Sequence, residues 1–142
     1  MEESIKIEEA IAKALKLEAV DPRTYSPLVL AYIGDAVYEL LIRTKVINHG
    51  SMQVNKMHKK SASLVKAETQ ANIIKAIQDD LTEEELAVYK RGRNANSATM
   101  AKHATMSDYR RATGFEALMG YLYLTGRTER ILELAKKGLE ED

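Results

Sequence analysis

The sequence predicts an all-α fold, and three observations carry that prediction. Apolar residues recur at helical spacings through most of the 142 residues. Helix-starting and helix-stopping residues fall at the ends of those runs. No stretch alternates apolar and polar residues as a half-buried strand would. The expected architecture is a single domain of about six or seven helices.

Ile7, Ile11, Ala14 and Leu15 make an amphipathic helix of the stretch Ile5 to Ala19. Asp21-Pro22 and Ser26-Pro27 punctuate the next few residues, with Ser26 placed as a cap and Pro27 in the first helical turn. The second helix runs to about Ile47 and ends at Asn48-His49-Gly50. A third helical region starts near Ser51, breaks near Lys60-Ser61, and continues through Ala71, Ile73, Ile74 and Ile77 to Asp79-Asp80. Thr82 and Glu85 have capping-box spacing, ahead of a helix that holds Leu86, Val88 and Tyr89 and ends in K-R-G-R. Asn94 to Ser107 lacks an apolar period and is expected to be an exposed loop. Ser107 or Asp108 then caps a helix through Thr125, with Ala117 to Leu124 at its core and Gly126 as its stop. Arg127 to Leu139 forms the last helix.

Composition narrows the chemistry. The chain has no cysteine, so disulfides, thiolate metal sites and cysteine nucleophiles are excluded. His49, His58 and His103 are scattered and form no H-x-x-x-H or His-Asp pair. No phosphate-binding glycine motif is present. No leader pattern or membrane-length apolar run appears, which predicts a soluble, cytoplasmic protein without a membrane partner. The 21 Lys and Arg balance the 21 Asp and Glu, but unevenly along the chain. Val54 to Val65 holds Lys56, Lys59 and Lys60 and no acid, and Lys90 to Arg111 holds six cations against Asp108 alone.

Two acids stand in apolar surroundings. Asp35 lies within L-V-L-A-Y-I-G-D-A-V-Y-E, and Glu116 within F-E-A-L-M-G. A helix apolar on most sides is normally buried, and a buried carboxylate needs a partner or a metal. Two such acids on two central helices are consistent with one shared site for magnesium, which takes one or two carboxylates and completes its shell with water and phosphate. Ion pairing is the alternative: Asp35 with an arginine, Glu39 with Arg43 one turn on, Glu116 with Arg110 or Arg111. Gly34 and Gly120, each next to or one turn from an acid, either admit close helix packing or relieve crowding.

The basic segments mix cations with small hydrogen-bonding side chains, a combination suited to phosphate and ribose contacts. Lys59, Lys60, Lys90, Arg91, Arg93, Asn94, Asn96 and Lys102 are the candidate RNA-binding residues. Aromatics are sparse near them, which favours duplex RNA read by shape over stacking on unpaired bases.

The stretch L-A-Y-I-G-D-A-V-Y-E at Leu30 to Glu39 resembles the signature of the ribonuclease III catalytic domain, and F-E-A-L-M-G-Y-L-Y-L at Phe115 to Leu124 resembles its second acidic motif. H-K-K-S, K-R-G-R-N-A and Y-R-R-A-T-G-F-E are similar, in order and spacing, to the small Mini-ribonuclease III subfamily. The likeness covers roughly Leu28 to Leu134. It implies an all-α, homodimeric, magnesium-dependent endonuclease domain over 1–142, with 1–24 as an N-terminal helical extension. By position it implies that Asp35 and Glu116 are the catalytic and metal-binding acids and that Tyr32 packs into a partner subunit at the dimer interface. The implied partner is double-stranded RNA, a large-subunit ribosomal RNA precursor whose ends are matured. No double-stranded-RNA-binding domain is expected beyond Asp142, so the domain itself, with the loop Asn94 to Ser107, is expected to grip the substrate. The larger family keeps acids where this sequence has Leu28, Ala31 and Thr113. These departures leave a rival reading, a non-catalytic module that binds ribosomal RNA. An all-α hydrolase of small nucleotides is a further alternative, and it would have no use for the basic segments.

Overall fold

The computed structural model describes residues 6–48, 50, 53–95 and 105–140. Seven α-helices are present among them: α1 (Ile7–Ala14), α2 (Pro27–Ile47), α3 (Val54–Val65), α4 (Ala67–Ile77), α5 (Glu83–Arg93), α6 (Met106–Leu124) and α7 (Thr128–Leu139). Short 3-10 turns stand at Pro22–Thr24 and Gln78–Asp80. None of the described helices is long and apolar enough to cross a membrane.

Helix α6 is the axis of the bundle, with α2, α4, α5 and α7 packed around it. From Phe115 to Leu122 it is buried on nearly every side, Glu116 being the one position not fully enclosed. Helix α2 presents Leu30, Gly34, Tyr38, Ile42 and Val46, a stripe spaced four residues apart as a helix face requires. Tyr38 meets Phe115 edge to face with ring centroids 5.3 Å apart. Ile73, Ile74 and Ile77 of α4 and Ile131 and Leu134 of α7 complete the same core.

The α2–α6 crossing is closer than side chains allow. A Cβ at Gly34 would lie 1.7 Å from the Glu116 carbonyl oxygen, and one at Gly120 would lie 2.0 Å from the Leu30 carbonyl oxygen. Of the two readings open in the sequence, close packing is therefore the correct one. The junction of α5 and α6 uses the same device: a Cβ at Gly92 would come within 2.9 Å of Gly114 Cα. At the far end, Arg130 of α7 grips the buried Glu85 carboxylate with two hydrogen bonds of 2.8 Å each. Burial works to raise the Glu85 carboxyl, but the Arg130 guanidinium and the Thr82 amide outweigh it and hold the group below its usual value.

Four boundaries differ from the sequence expectation. Helix α1 stops at Ala14 rather than Ala19. None of its residues is buried, and Lys16 takes a left-handed φ of 55°. The long third helical region breaks at Lys66, where ψ is 159°, and not near Lys60. Helix α6 is capped by Thr105, whose hydroxyl accepts from the Asp108 amide at 3.0 Å, rather than by Ser107 or Asp108. Helix α7 begins at Thr128.

Alanine at Gly120 should destabilise the fold by about 1–3 kcal/mol or more, because backbone rather than a flexible side chain opposes the new methyl. Urea denaturation checks this, and a midpoint equal to the parent's would mean that the helices can separate at no cost.

Candidate active site

Asp35 follows Gly34 on α2, and Glu116 supplies the carbonyl against which Gly34 packs. The close crossing thus brings two acids together from opposite helices. Their carboxyl groups lie within hydrogen-bonding reach of each other, and Gln70 on α4 donates to Glu116 Oε2 from its Nε2 at 3.1 Å. Burial first, and the Asp35 charge second, push the Glu116 carboxyl up to about 8, while the Gln70 amide works in the opposite direction. Two ionised carboxylates this close repel, so without a cation the pair holds a proton near neutral pH.

The sequence placed both acids in buried settings. Glu116 is partly buried, but Asp35 is exposed. The stripe from Leu30 to Val46 uses one side of α2 only, and Asp35 stands beside it. Several other apolar residues of α2 face outward: Tyr32 is 81% exposed, with Leu28, Val29 and Leu40 also open to solvent. Glu39 is taken by Arg43 at 2.7 Å, the ion pair that its spacing predicts. Arg111 turns to Ser107 at 2.9 Å, while Glu116 is met by Gln70 and Asp35.

Sequence reasoning missed Gln70. The signal is present in the chain: Gln70, Ile73, Ile74 and Ile77 share one helical face, so an amide stands at a core position. Gln70 is 2% exposed, and its Nε2 also donates to the Val65 carbonyl at 2.8 Å.

The donor set fits magnesium. Two carboxylates held close, one of them open to solvent, can supply hard oxygen ligands and leave room for water. Among the described residues no group of three or more His, Cys, Asp and Glu is placed to hold a metal.

The candidate cations fall on two elements, α5 and α3. Lys90, Arg91 and Arg93 occupy the last turn of α5, which Gly92 presses against α6 at Gly114 and Ala117, beside Glu116. Lys90 and Arg91 are exposed. Arg93 lies over the Tyr89 ring, 5.6 Å from its centroid, and its Nε donates to Asn94 Oδ1 at 3.3 Å. Lys59 and Lys60 project from α3, also exposed. Asn96 and Lys102 lie outside the described residues.

The ribonuclease III domain family matches residues 28–127, a span that includes both acids. The chain belongs to the ribonuclease III family. It is 54% identical to Mini-ribonuclease 3 of Clostridium tetani (strain Massachusetts / E88) over 82% of this chain and 78% of that one. Mini-ribonuclease 3 of Thermoanaerobacter sp. (strain X514) is 53% identical, over 82% of this chain and 84% of the relative. A crystal structure of a Fusobacterium nucleatum protein superposes with a TM-score of 0.79 at 34% identity, covering 87% of this chain and all of that one. This member of the ribonuclease III family is therefore an endoribonuclease of the Mini-ribonuclease 3 kind.

Leu28, Ala31 and Thr113 are the positions that the sequence reading takes as departures from the ribonuclease III signature, and the structure shows where each residue lies. Ala31 is buried in the core and Leu28 is exposed. Thr113 is buried, and its hydroxyl donates back to the Tyr109 carbonyl at 3.0 Å. None of the three adds a carboxylate to the pair.

A carboxyl raised by folding holds its proton more tightly in the folded chain. Its contribution favours the native state below the unfolded value of 4.5 and is lost as pH rises toward about 8. The metal-free protein should accordingly lose stability across that window, by on the order of a few kcal/mol. Glu116→Gln should abolish the slope, and Asp35→Asn should reduce it. Denaturant melts at graded pH measure this; parent stability that is flat or rising there would contradict the coupling.

Proposed function

We propose that this endoribonuclease is magnesium-dependent and cuts double-stranded or structured RNA as a homodimer, its substrate being a large-subunit ribosomal RNA precursor in the cytoplasm. The observation that carries the reading is the meeting of Asp35 and Glu116 at the α2–α6 crossing.

In the proposed reaction, Asp35 and Glu116 hold magnesium, the exposed Asp35 facing the RNA and the partly buried Glu116 anchoring the site from within. When bound, magnesium offsets charge on the phosphodiester and acidifies the attacking water. Lys59, Lys60, Lys90, Arg91 and Arg93 hold the phosphate backbone, joined by Asn94, Asn96 and Lys102. This binding should weaken steeply with salt. Tyr32, Leu28 and Val29 support the dimer, because an exposed aromatic flanked by aliphatics marks an interface. Two protomers joined there would present two sites across a duplex.

The absent acids at Leu28, Ala31 and Thr113 favour a second reading, a non-catalytic module for ribosomal RNA. A salt-sensitive RNA complex that yields no magnesium-dependent products would support it.

Asp35→Asn and Glu116→Gln should each slow cleavage of a defined RNA duplex at least about 100-fold, the scale of ~3 kcal/mol of transition-state stabilisation. RNA binding should persist in both. Cleavage undiminished in Asp35→Asn, or in EDTA, would rule out the metal mechanism. In sedimentation the parent should run as a dimer and Tyr32→Ala should shift toward monomer; a parent that is monomeric at micromolar concentration would remove the dimer from the proposal.

A further inference from the structure

Gln70 links the α3–α4 corner to Glu116 of the acid pair. Its Nε2 donates to the Val65 carbonyl at 2.8 Å and to Glu116 Oε2 at 3.1 Å, which uses both amide hydrogens. A flipped amide is excluded, because the Val65 carbonyl only accepts and would then face Gln70 Oε1.

The anchor at Val65 is itself fixed. The extended backbone of Lys66 interrupts the helix, which frees the last carbonyls of α3 from intrahelical bonding. Tyr38 of α2 donates to the neighbouring Leu64 carbonyl at 2.7 Å. A chain of contacts therefore runs from α2, which carries Asp35, through Tyr38 and the α3–α4 corner to Gln70 and Glu116.

Gln70 is a poor residue for stability alone. It is 2% exposed, and its Oε1 is buried with no hydrogen-bond partner among the described residues. A buried acceptor left unpaired is unfavourable, and an apolar side chain of the same size would avoid it.

We infer that Gln70 is a positioning residue for the metal site: its amide fixes the Glu116 carboxylate opposite Asp35 and thereby sets affinity for the divalent cation. The inference rests on the proposed metal-dependent reading. Side chains that orient a metal ligand in this way typically change affinity 10–100-fold when removed.

Mn2+, titrated into the full chain and followed by electron paramagnetic resonance at one pH, is the direct probe. Gln70→Met keeps the volume and deletes the donor. It should weaken Mn2+ binding about 10-fold or more, in protein that its metal-free melting curve shows to be folded. Unchanged affinity overturns the inference and makes Gln70 structural. Asp35→Asn is measured alongside. If it binds Mn2+ as the parent does, the proposed metal site is wrong and the role of Gln70 falls with it. If it loses binding while Gln70→Met keeps it, only the role of Gln70 is overturned.

Discussion

The approach of α2 to α6 at Gly34 and Gly120 is the constraint on which the rest of the structure depends. Each glycine leaves room for a carbonyl of the opposite helix, and a methyl at either place would overlap it. Because the contact falls on the Glu116 carbonyl itself, the geometry of the crossing is also the geometry of the acid pair. The same helices contribute Tyr38, Phe115, Leu118 and Leu122 to the core, so packing energy holds two carboxylates together against their repulsion.

That repulsion gives the pair its chemical character. A carboxyl raised to about 8 by burial and by a neighbouring acid is a site with unmet demand for positive charge. The basic turn of α5 is pressed onto α6 by a second glycine contact, at Gly92. The proposed anion grip and the acid pair thus rest on one architectural device, the removal of side chains where helices must touch. The ribonuclease III family membership fits this arrangement, even though Ala31 and Thr113 are absorbed into packing and backbone bonding.

What is legible in the sequence is local. The Ser26-Pro27 start and the Thr82–Glu85 capping box are written in adjacent residues, and both form as read. The Glu39–Arg43 pair follows from one-turn spacing. What is not legible depends on tertiary choice. Helix α2 is apolar on its outer side as well as its core side, so periodicity does not tell which side is buried, and Asp35 reads as interior when it is exposed. The α3–α4 break sits at Lys66 because Tyr38 and Gln70 claim the carbonyls there, a reason that lies in other helices. Thr105 prevails as the α6 cap from a run of polar residues of which several can cap. Gln70 escapes a reading built on acids and cations, because its informative feature is a neutral amide in phase with isoleucines.

A crystal of the full chain soaked in Mn2+ tests the central claim most directly, because anomalous scattering locates the ion without reference to activity. The account predicts a peak within coordination distance of both the Asp35 and Glu116 carboxylates, with Gln70 still donating to Glu116. A peak that touches neither acid, or none where they meet, would contradict it.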